Sequence, residues 1–114
     1  MSYPMTPFEV ACKTLAGPVH VRFVHLFPAI ATRHSDTMDC VFLVDGQHVT
    51  VAISCPELNR LREVEHKPLR DQQLVEIAAT FLRRNLEQGY DPRGGELPLS
   101  GDELTSIARG LAFI

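Results

Sequence analysis

No apolar run in this chain approaches the roughly twenty residues that a helix needs to cross a bilayer. Positive charge is also in short supply. Eleven Lys and Arg stand against fourteen Asp and Glu, leaving a formal charge of −3 and a pI near 5.9, so phosphate backbones gain little electrostatic reason to bind. Neither a membrane nor a nucleic acid is therefore an expected partner. Cysteine is scarce and odd in number. Cys12, Cys40 and Cys55 include no C-x-x-C pair and no tight Cys/His cluster, which suits reduced thiols in a cytosol. The stretch Met1 to Phe8 contains Pro4 and Pro7 and lacks a basic start followed by a continuous apolar segment, so it does not read as a secretory signal. A cytoplasmic location is expected. Catalytic signatures are missing as well. No Gly-x-Ser-x-Gly elbow exposes a serine, no H-E-x-x-H pattern is present, and Arg93-Gly94-Gly95-Glu96 lacks both the Gly-Lys-Ser/Thr ending and the preceding strand of a phosphate loop.

What the chain does contain is a fold plan. With 114 residues, 45% of them hydrophobic and 22% charged, it suits one soluble domain, residues 1–114, with a single core and no need of a covalent staple. The clearest signal runs from Met38 to Val64. Two alternating apolar runs flank Asp45-Gly46, which supplies the positive φ values of a tight hairpin turn, and Ser54-x-x-Glu57 follows as a helix-start capping box. A two-residue turn there sets Phe42 opposite Val49 and Cys40 opposite Val51. Upstream, the alternation of Phe8 to Lys13 and of Val19 to His25, interrupted at Ala16-Gly17-Pro18, predicts a first hairpin. Pro28 to Thr37, with Arg33, His34 and Ser35, reads as an exposed connection.

Helical spacing takes over after Ser54. Leu58, Leu61 and Val64 predict a short helix with Pro56 in its first turn, and Lys67-Pro68 ends it. A longer helix spans about Leu69 to Gln88, burying Leu74, Ile77, Ala78, Phe81 and Leu82 and stopping at Gly89. Tyr90 to Pro98 reads as a loop. Ser100-x-x-Glu103 then opens a third helix that carries Leu104, Ile107, Ala108 and Leu111. The expected fold is α+β: an antiparallel four-stranded sheet of two hairpins, with three helices packed mainly on one face.

Alternation then populates the opposite face of the sheet. Val24, Val41, Leu43 and Ala52 fall there among Arg22, His48 and Thr50, a set too apolar to be wholly solvated and therefore a candidate subunit contact. The alternative is that the N-terminal segment or the 28–37 connection folds over it. Cys55 is the candidate nucleophile, because the amides and dipole of a helix N-terminus favour a thiolate, although no histidine is placed beside it to act as a base. Five histidines invite a metal, but His20 and His25 are an odd number of residues apart and so face opposite sides of a strand. No compact ligand spacing occurs, and neither a metal nor a cofactor is expected. Arg83-Arg84 complements the negative end of the long helix, and the charges of residues 57–67 interleave as on a solvated helix face.

The run from Val19 to Gly89 comprises an apolar strand, Val44-Asp45-Gly46-Gln47-His48-Val49, Ala52-Ile53-Ser54, a short leucine-bearing helix and a longer helix. Covering about sixty percent of the chain, it resembles a group of small bacterial proteins of unknown function. That resemblance implies a hairpin followed by helices and carries over no catalytic residue. The functional expectation is a small bacterial interaction or regulatory protein that self-associates, or meets a protein partner, through the apolar sheet face. A small enzyme or ligand-binding protein with a pocket between sheet and helices is the alternative, with Cys55, His48 and Arg84 as its candidate residues.

Overall fold

The structure is a computed structural model that describes residues 7–11, 17–30, 36–99 and 101–114. Five strands form one sheet in sequence order: β1 (Phe8–Ala11), β2 (Pro18–Pro28), β3 (Thr37–Val44), β4 (Gln47–Ser54) and β5 (Glu96–Leu99). Among the described residues it is accompanied by helices α1 (Cys55–Glu65), α2 (Asp71–Glu87) and α3 (Gly101–Gly110), with a 3-10 turn at Pro92–Gly94 before β5. The class is α+β, as the sequence implies. Cys12, Lys13, Ala16, the stretch 31–35 and the expected cap Ser100 lie outside the described residues.

The second hairpin follows the expected register. Asp45 and Gly46 take φ values of 47° and 84°, the two positive angles of a primed turn, and Phe42 faces Val49 while Cys40 faces Val51. Asp45 also binds the first hairpin, accepting from the His20 backbone N–H through its carboxylate and donating its own N–H to the His20 carbonyl. Between Phe23 and His25 the β2–β3 register shifts by one residue, so that Phe23 opposes Phe42 but His25 opposes Val41. This bulge inverts the alternation along β2. Val19, Val21 and Phe23 turn toward the core before it, and Leu26 does so after it.

The four-stranded expectation requires correction. Glu96–Leu99 is a fifth strand, and it joins β4 in parallel, making the sheet mixed. Leu97 and Leu99 are buried while Glu96 and Pro98 are exposed, a period of two carried by only four residues. Pro98 is tolerated because β5 lies at the sheet edge.

Ser54 caps α1 by accepting the Glu57 N–H at 3.4 Å, whereas the Glu57 carboxylate turns to Arg60 at 2.6 Å instead of completing the box. The core lies between the sheet and the helices. Val19, Val21, Phe42, Val49, Val51 and Ile53 meet the predicted α2 stripe of Leu74, Ile77, Ala78, Phe81 and Leu82, together with Leu104, Ile107 and Ala108 of α3. Two expected core residues stand outside. Val64 is 62% exposed, because an i, i+3 ladder lags the 3.6-residue turn and carries Val64 about 120° around α1 from Leu58. Leu111 lies just beyond α3 and is 36% exposed.

Candidate functional site

The sheet face turned away from the core is ordered in cross-strand rows. Arg22, Leu43 and His48 form one row, His25, Val41, Thr50 and Glu96 the next, and Phe27, Asp39, Ala52 and Pro98 the third. The β2 bulge brings His25 to this face, so His20 and His25 share it, contrary to simple parity. The His25 and Phe27 rings lie tilted with centroids 4.9 Å apart. Of the four residues expected to form a contact here, Val41 and Ala52 are already buried within the single chain, while Val24, the extra residue of the bulge, and Leu43 are half-buried. The accessible apolar surface therefore consists mainly of Val24, Phe27 and Leu43, beside exposed His25 and Pro98.

Asp39 sits in the same outer rows, only 1% exposed, with its carboxylate accepting from the Thr37 hydroxyl at 2.8 Å. Sequence reasoning passed over this residue. The available signal was a charge inside the otherwise apolar run Met38 to Val44, because a buried carboxylate must be given polar partners. Asp39 belongs to a corner where Thr37 pairs with Ser54 and the Cys55 N–H donates to the Asp36 carbonyl at 3.0 Å. Burial, then the charge of Asp36 and its hydrogen bond with the thiol, then the charge of Asp39, all push the Cys55 pKa above its ordinary value. The surrounding carboxylates thus hold Cys55 as a thiol against the pull of the α1 N-terminus.

The remaining candidates do not converge. His48 is exposed on the outer face at the start of β4, and Cys55 follows the end of that strand, about 20 Å away along it. Arg84 is exposed on the last turn of α2, in the helix layer across the sheet from His48. Four arginines are held apart or already paired, against the gathering that a nucleic-acid surface needs. Arg70 and Arg84 mark opposite ends of α2, about 20 Å apart, while Arg93 pairs with Asp91 at 2.6 Å and Arg109 with Glu65 at 3.3 Å. Among the described residues no group of three or more His, Cys, Asp and Glu is placed to hold a metal ion, and no helix is long and apolar enough to cross a membrane.

A groove of about 550 Å³ opens between β1 and α2, lined by Phe8, Ala79, Thr80, Arg83 and Leu111 and bounded by Glu76. Its helix wall is the stripe Glu76, Ala79, Thr80 and Arg83, one position round from the core stripe. The Arg83 guanidinium lies over the Phe8 ring, 4.8 Å from its centroid. Neither His48, Cys55 nor Arg84 reaches this groove. Compared with known proteins, the chain matches no family model, no curated protein and no solved structure.

Proposed function

We propose that the protein is a small cytoplasmic interaction or regulatory protein, bacterial as its resemblance implies, that pairs with a second copy of itself through the outer face of the sheet. One observation carries this reading. All three helices bury their apolar stripes on the inner side, while Val24, Phe27 and Leu43 remain half-exposed on the outer side.

Five strands about 4.8 Å apart, with central strands of eight residues at about 3.3 Å each, give the sheet a span of roughly 20 Å by 26 Å, of which Val24, Phe27 and Leu43 with the polar side chains around them are left for a partner to cover, Asp39, Val41 and Ala52 being already buried. A two-fold axis parallel to the strands and centred on β3 sets β2 of one copy over β4 of the other and β1 over β5, so that the two Leu43 side chains meet at the axis.

Native mass spectrometry and light scattering test the proposal. The natural chain is expected at twice its monomer mass. Leu43→Glu places one carboxylate from each copy in the contact and is expected to raise the dimer Kd at least about a hundredfold, or ~2.7 kcal/mol, with an unchanged circular dichroism spectrum. A monomeric natural chain, or a Leu43→Glu variant with the same assembly, overturns the proposal.

A further inference from the structure

We infer that the groove between β1 and α2 binds a small amphipathic monocarboxylate, its carboxylate on Arg83 and its apolar chain along Phe8, Ala79 and Leu111. The site is independent of the outer-face contact, which lies across the sheet.

Arg83 supplies the recognition. Its guanidinium carbon lies over the Phe8 ring, 4.8 Å from the centroid, a cation–π contact that holds the group against the groove wall. Arg60, Arg93 and Arg109 each have a carboxylate within 2.6 to 3.3 Å, whereas Arg83 has neither a carboxylate nor a hydrogen-bond acceptor among the described residues. A planar cation held in place at the lip of an apolar groove matches the bidentate geometry of a carboxylate.

The other residues restrict the remainder of the ligand. Thr80 spends its hydroxyl proton on the Glu76 carbonyl at 2.9 Å, so the middle of the groove gives a polar chain no donor from that side. Apolar atoms of Phe8, Ala79 and Leu111 face it instead. Glu76 stands two helical turns before Arg83, about 10.5 Å along α2, and repels a second carboxylate at the far end. The pattern selects a single acid group followed by an unbranched or aryl tail about ten ångströms long. The volume of about 550 Å³ is in the range of small-molecule sites.

Octanoate is the probe, titrated into the full-length protein while backbone amide resonances are recorded. Binding is expected to move the amides of Phe8, Ala79, Thr80, Arg83 and Leu111 as one saturable set. Exposed Arg83 can be replaced without disturbing the core, and Arg83→Gln is expected to weaken octanoate at least about tenfold, with Arg83→Lys intermediate. Octanamide, with the same chain and no charge, and the dicarboxylate suberate are each expected to bind at least about tenfold more weakly than octanoate. No saturable shift at millimolar octanoate, or shifts confined to other residues, overturns the site. Equal affinity in Arg83→Gln, or equal affinity for octanamide, overturns the assignment of the carboxylate to Arg83.

Discussion

Two thiols are raised above their ordinary pKa of 9.0, for reasons that differ by residue: at Cys40 burial alone acts, whereas at Cys55 burial is joined by the carboxylates of Asp36 and Asp39. A raised thiol pKa means less thiolate at neutral pH and slower alkylation. Cys55 is partly accessible and Cys40 is not, so iodoacetamide at pH 8 is expected to label Cys55 first, but more slowly than a small-molecule thiol. Asp36→Asn removes the largest charge that opposes ionisation and is expected to speed labelling of Cys55 several-fold, while Cys40 stays protected; an unchanged rate would show that burial alone sets the shift. Cys40 was legible in the sequence because alternation across Asp45-Gly46 fixes its face and its opposite neighbour. Asp36 and Asp39 were not legible as neighbours of Cys55. They are 19 and 16 positions away along the chain, and only the pairing of Thr37 with Ser54 brings them together.

At the scale of elements, strong local chemistry was readable and weak alternation was not. The Asp45-Gly46 hairpin declares itself because its positive φ angles select those residue types. A Cβ at Gly46 would meet nothing within 4 Å, so Gly46→Ala is expected to cost only the backbone penalty of its φ of 84°, about 1 kcal/mol in urea denaturation. A much larger loss would point to a contact beyond the turn. The β2 bulge was hidden because Phe23, Val24, Leu26 and Phe27 are apolar in both phases, so a one-residue shift leaves no mark on the pattern. Strand β5 was hidden for another reason. Pro92, Gly94, Gly95 and Pro98 punctuate its surroundings, and its two inward leucines gain their meaning only beside Val51 and Ile53 of β4. The groove escaped notice likewise, since Phe8 and Arg83 share no local spacing and meet only when β1 lies against α2.

For the whole molecule, the division between a helix-covered inner face and an outer face with half-exposed apolar residues could be foreseen from periodicity, but the identity of those outer residues could not, because the bulge determines which β2 side chains arrive there. The parallel pairing of β4 with β5 has a consequence in time. Strands β2, β3 and β4 follow one another through short connections, whereas β5 reaches β4 only after both α1 and α2 have been traversed. Closing that long loop is entropically expensive, so the meander is expected to form first and the fifth strand to dock last. Leu97→Ala, which trims a buried side chain on that strand, is expected to cost about 2–3 kcal/mol, almost all of it as faster unfolding with little change in the folding rate. A matching slowdown in folding would place β5 in the nucleus instead. Until the last strand arrives, the far edge of β4 is a row of unsatisfied backbone groups, so a nascent chain halted before Glu96 carries an open template for pairing with its neighbours.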